Sequence, residues 1–191
     1  MNTPAHLLLG AALCGRPPTS KVIGAAFIGG MLPDLSLYVM GFVSLFVLQI
    51  PPSVVFNELY FSDAWQTVFA IDNSFFVWGA LLGIAIYLRK PWAVALTAAA
   101  LLHVALDFPL HHDDGRPHFW PVSDWVFESP FSYWDRSQGA NWIAPLEFVL
   151  VVLAFASMVV RRVPRWALLV GACLLAAEGW IVFQWIFVFA A

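Results

Sequence analysis

Charge is scarce in this chain: nine Lys and Arg and twelve Asp and Glu amount to 11% of 191 residues, against 61% apolar. With a mean hydropathy of +0.80, that balance excludes the mixed surface of a water-soluble domain and points to a membrane protein of one compact unit. The basic residues are scattered, and the net charge is −3, so no cationic face is present to neutralise phosphates. Nucleic acid is thereby excluded as a partner. Cysteine is nearly absent. Cys14 and Cys173 both sit in apolar runs, where each reads as a small buried hydrophobe rather than half of a disulfide or zinc pair. The opening MNTPAHLLLGAALCG lacks the basic region of a secretory signal, and Ala-Ala-Leu is a poor lipoprotein cleavage context before Cys14, so the chain is expected to be unprocessed. Also missing are a serine nucleophile motif, a glycine-rich phosphate cradle, a CxxC pair, an internal repeat and a low-complexity tract.

What the sequence does have is long apolar runs. A helix needs about 20 residues at 1.5 Å each to cross a bilayer. The runs 22–50, 92–110, 142–160 and 166–190 meet that length, and the shorter 74–88 is uncharged. Residues 4–14 would extend only roughly 17 Å, about half a membrane. The expected fold is therefore all-α: a polytopic membrane helical bundle of about five transmembrane helices plus a short N-terminal half-helix, forming one domain over 1–191.

Orientation follows from the basic residues. Arg16 and Lys21, Arg89 and Lys90, and Arg161, Arg162 and Arg165 fall in alternate connections, which are expected to be cytoplasmic. The loops 51–73 and 111–141 then face outward, to the periplasm of a Gram-negative inner membrane, and the C-terminus ends outside. Trp92, Trp142 and Trp166 open spans, as an interfacial belt does. The 111–141 loop interleaves Phe119, Trp120, Trp125 and Phe127 with Pro117, Pro121 and Pro130, and is expected to lie on the membrane surface as a lid.

Ionisable residues inside the bilayer cost about 2.5 to 3.5 kcal/mol each and demand a partner, a cavity or a metal. Helical rise places Asp34 and Glu147 at roughly 20 Å from the cytoplasmic ends, His103 and Glu178 at roughly 18 Å, Asp107 at roughly 24 Å and His6 at roughly 14 Å. Six such side chains from five segments thus share one depth band. The alternative is a set of separate interhelical hydrogen bonds. His103 and Asp107, four apart, lie on one helical face, as a metal-ligand pair requires. In GGMLPD, the glycines and Pro33 are expected to loosen the helix before Asp34 so that it lines a cavity. His6 could be a ligand or merely interfacial. After Pro109, His111, His112, Asp113, Asp114 and His118 form a turn that either completes the site or is solvated. Asp124, Glu128 and Asp135 are expected to be solvated or paired with Arg116 and Arg136. Mixed imidazole and carboxylate donors suit zinc, or manganese or iron where oxygen dominates.

Four of these motifs, PAHLLLG, GGMLPD, HVALD and FWP, occur in this order over 1–121. Together they resemble the YdjM-like family of membrane-bound metal-dependent hydrolases. The resemblance implies that His6, Asp34, His103 and Asp107 are the metal-site residues. The chain departs from the family pattern at two motifs. The second acid and the His that follow Pro-Asp are Ser36 and Tyr38 here, and the His-Arg…Thr-His-Ser motif is replaced by IDNS at 71–74. Either His111, His112 and Asp113 take the missing places, or this branch has lost the chemistry.

The function this suggests is hydrolysis, at the outer leaflet, of a lipid or lipid-linked ester or phosphoester. Glu147, His111, His112 and Asp113 are the candidates for acid-base work. Two other classes stay open: a small ion- or proton-coupled transporter, which would have to oligomerise, and a noncatalytic subunit or assembly factor whose polar band packs against a membrane partner.

Overall fold

The computed structural model describes residues 1–184, and every regular element among them is helical. The end of the run expected over 166–190, and the C-terminus expected outside, lie beyond the described residues. Five helices are long and apolar enough to cross a membrane: Ser20–Val47, Asp63–Tyr87, Pro91–Leu110, Ala140–Val160 and Arg165–Phe183.

Helix α1 (Thr3–Cys14) starts at a proline in its first turn, where no amide donor is required. This is the expected half-length helix, and it lies at the centre of the bundle. Ala5, His6, Leu8 and Ala11 are fully buried, because α1 is surrounded by α2 (Ser20–Phe42), α6 (Pro91–Asp107), α7 (Ala140–Val160) and α8 (Arg165–Phe183). Its last turn leaves carbonyls unpaired, and the Arg161 guanidinium at the end of α7 donates to the carbonyls of Ala12 and Gly15. A short helix thus becomes the pillar of the bundle.

Helix α2 runs unbroken through Gly29, Gly30 and Pro33. The glycines therefore do not open the helix, as the sequence suggested. They let neighbouring backbones touch: a Cβ on Gly29 would lie 2.0 Å from the Leu96 carbonyl oxygen of α6, and one on Gly30 would lie 2.7 Å from the His6 carbonyl oxygen of α1. This contact brings α1, α2 and α6 together at the depth of Asp34, His103 and Asp107.

Helix α2 continues as a wider turn, Val43–Val47. The 51–73 segment, expected as a loop, is largely helical: α3 (Pro52–Val54), a turn over Val55–Leu59, and α4 (Asp63–Asp72). The Ser62 hydroxyl caps α4, and Trp65 and Phe69 pack against Val55 as a small core of their own. Ser74 then caps α5 (Phe75–Tyr87) by accepting from the amides of Phe76 and Val77. The connection after α6 folds back over this end of the bundle. The Phe75 amide donates to the His118 carbonyl at 2.9 Å, Ser74 Oγ donates to the Trp120 carbonyl at 2.5 Å, and Phe108 stacks on Phe127.

Candidate metal centre

His6 from α1 and His103 from α6 lie face to face, with ring centroids 3.5 Å apart and planes inclined by 11°. Both rings are buried, as is Asp107 one turn beyond His103. Asp107 gathers the group. Its Oδ1 lies 2.9 Å from His6 Nε2 and accepts from the Met1 amine, while its Oδ2 is 3.2 Å from His103 Nε2 and 3.4 Å from His111 Nε2. Asp34 of α2 approaches from the other side, 3.6 Å from His103 Nε2. Its second oxygen accepts from Thr3 Oγ1 at 3.4 Å. One donor atom from each of His6, His103 and Asp107 fits within a 4.8 Å sphere of mutual distances, so this buried group can hold a metal ion.

The protonation pattern favours a cation there. His103 Nδ1 lies 2.8 Å from the Gly30 carbonyl, which can only accept, so Nδ1 carries the proton. In neutral His103, Nε2 is then a lone pair aimed at two carboxylates. That arrangement is repulsive unless a positive charge, a metal ion or a second proton, lies between them. Neither His103 Nε2 nor His6 Nδ1 has a hydrogen-bond partner among the described residues. A backbone carbonyl fixing one ring nitrogen while the other faces acidic oxygens is the usual support for a metal-binding imidazole.

Asp34 and Asp107 line a polar cavity of about 260 Å³, and His6 and His103 contact these carboxylates without lining it. Its walls come from the Met1–Pro4 stretch, from Tyr38 and Tyr60, and from His111, Asp114, Arg116 and Tyr133. His111 is held between two carboxylates, with Nε2 toward Asp107 and Nδ1 2.9 Å from Asp114 Oδ1. Burial alone would lower its pKa, but its contacts with Asp107 and Asp114 override that and raise it. Burial likewise works to raise the Asp114 carboxyl, and the His111 partner holds it below its ordinary value. The Tyr133 hydroxyl is pushed up, by burial first and then by the negative charge of Asp107 and Asp114.

The structure brings together all four expected ligands, His6, Asp34, His103 and Asp107, and adds His111. His112 turns away, with Nδ1 donating to the Ser129 carbonyl at 2.6 Å, and Asp113 is exposed. Glu147 and Glu178 grip the start of the chain: the Asn2 amide donates to Glu147 at 2.6 Å and Asn2 Nδ2 donates to Glu178 at 3.0 Å. The Tyr38 hydroxyl lies 2.5 Å from Thr3 Oγ1. Of the two readings for the loop acids, solvation holds for Asp124 and Glu128, which are exposed, and Arg116 pairs with none of them. No carboxylate oxygen lies within 4 Å of it among the described residues; its guanidinium sits over Phe69, 3.9 Å from the ring centroid, and near Tyr60, at 5.1 Å. The sequence hid this because loop arginines ordinarily find a nearby acid, and only burial shows that this one does not. No protein-family model, curated protein or solved structure matches the chain.

Proposed function

We propose that the chain is a membrane-embedded, metal-dependent hydrolase acting on a lipid or lipid-linked ester or phosphoester at the outer leaflet of a bacterial inner membrane, with the 51–73 and 111–141 connections outside. The observation that carries this reading is the buried His6, His103 and Asp107 group, whose Asp107 lines a polar cavity. The resemblance to the YdjM-like hydrolases points the same way and is part of the proposal.

His6, His103 and Asp107 would hold the ion, with Asp34 available from the cavity side. Two imidazoles with one or two carboxylates suit zinc best, and manganese or iron if more oxygen donors join. Such an ion supplies a Lewis acid and a source of nucleophilic water at neutral pH. His111 faces the cavity within reach of Asp107 and is oriented by Asp114, so it is the loop residue placed to move a proton. Gly30 fixes the His103 tautomer, and Thr3 holds one oxygen of Asp34.

The test is a hydrolysis assay on ester and phosphoester lipids in detergent. Turnover that is abolished by chelator, restored by added zinc or manganese and lost in His103→Ala supports the proposal. Turnover indifferent to chelator, or absent with every substrate at full metal loading, contradicts it.

A further inference from the structure

Arg116 is 6% exposed, yet its guanidinium has neither a hydrogen bond nor an acidic partner within 4 Å among the described residues, and its Nη1 is buried without a partner. Asp114 and Asp72 feel its charge, but neither pairs with it within 4 Å among the described residues. Asp114 Oδ1 faces His111, and Asp114 Oδ2 accepts from Trp134 Nε1 at 3.2 Å. Asp107 is taken by three histidines and the Met1 amine. A guanidinium buried against aromatic rings on a residue that lines a polar cavity is a site for an anion, because burying the charge alone is costly and the anion removes that cost.

Next to this cavity lies an apolar groove of about 490 Å³, lined by Gly41, Phe42, Leu45, Phe46 and Phe56. The two spaces share Leu37, Tyr38 and Tyr60 as common walls. Tyr60 also lies under the Arg116 guanidinium. A charged recess thus opens beside a hydrocarbon slot along one spanning helix. That is the shape and polarity of an amphiphile with an anionic head and an acyl tail.

We propose that Arg116 binds the phosphate of a phosphate-bearing lipid whose acyl chain lies in the groove beside Gly41 and Phe46. This rests on the hydrolase reading only for its consequence, that the phosphate is brought to the metal centre; the binding itself needs no turnover. A planar guanidinium engages a phosphate through two parallel hydrogen bonds, which a lysine ammonium cannot reproduce. Gly41 matters on the tail side. A Cβ there meets nothing within 4 Å, so a larger side chain projects into the groove without a clash.

The experiment measures binding to purified full-length protein in detergent with chelator present, which suppresses metal-dependent turnover. The probes are dioleoyl phosphatidic acid, dioleoylglycerol and glycerol phosphate. Expected is saturable binding of phosphatidic acid at about one per chain, with neither the uncharged lipid nor the soluble headgroup binding comparably. Arg116→Ala and Gly41→Leu each weaken it roughly tenfold or more, and Arg116→Lys restores only part. Wild-type affinity in folded Arg116→Ala, or equal binding of dioleoylglycerol, overturns the phosphate site. Equal binding of glycerol phosphate, or unchanged affinity in Gly41→Leu, overturns the lipid and leaves a soluble anion. Should Arg116→Ala aggregate, Arg116→Gln and Gly41→Leu decide the matter by the same readout. Tight lipid binding by a protein that holds no metal would uphold this site while removing the hydrolase reading.

Discussion

His6 and His103, carried by helices distant in sequence, stack with 3.5 Å between ring centroids and share the carboxylate of Asp107. Two imidazolium ions in that stack would repel each other. The pair therefore keeps at least one neutral ring, with a nitrogen free to donate a lone pair. Asp34 and Asp107 place their carboxylate oxygens beside the two rings.

Asp34 stands farther from His103 than Asp107 does, at 3.6 Å against 3.2 Å, and lies outside the tightest group of donors. Asp34→Asn should weaken zinc binding by about 10- to 100-fold without abolishing it, whereas His6→Ala should remove it. Competition with a chromophoric zinc chelator measures both.

Gly29 is the tightest point between α2 and α6. Gly29→Ala puts a methyl group 2.0 Å from the Leu96 carbonyl oxygen, and backbone cannot yield as a side-chain tip does. The expected loss is on the order of 1 to 3 kcal/mol of stability. A lower thermal midpoint in detergent checks it, with Gly83→Ala, whose Cβ meets nothing within 4 Å, as the neutral control.

Arg161 closes α1 by donating to the carbonyls of Ala12 and Gly15. Removing it in Arg161→Ala should cost about 1 kcal/mol and increase amide exchange in the last turn of α1. Exchange measured by mass spectrometry locates the effect, and unchanged protection over residues 11–15 would count against this role.

His118 is buried between Phe75 and Phe108, and burial lowers its pKa from 6.5 to about 4. Above pH 6.5 it is neutral in both folded and unfolded chains and adds no pH dependence. As pH falls below 6.5, the unfolded chain takes up a proton that the folded one refuses until about 4. Stability should thus drop across that interval, by on the order of 3 kcal/mol, and level off below it. His118→Asn should flatten this part of the stability profile recorded by thermal unfolding at successive pH values.

The helices were legible because apolar length is a one-dimensional signal, and the shared depth of His6, Asp34, His103 and Asp107 was legible because helical rise is constant. Four features were not. The half-length of α1 was legible but its central position was not, since nothing in twelve residues says that this helix will meet four others at once. The glycines of GGMLPD signalled weakness in a helix, whereas their lack of a side chain serves contact with Leu96 and His6; conformational freedom and close approach look alike in a sequence. His111 and His112 are adjacent and chemically identical there, and only the turn after Pro109 separates the one that faces Asp107 from the one that binds Ser129. Arg116 needed three-dimensional knowledge of every acid around it.

The central claim, that His6, His103 and Asp107 hold a metal ion, is tested most directly by elemental analysis of the full chain purified in detergent without chelator, beside His103→Ala. The account predicts about one transition metal ion per wild-type chain and its loss in the variant. A metal-free wild-type protein that takes up no added zinc, or a His103→Ala variant with undiminished metal content, would contradict it.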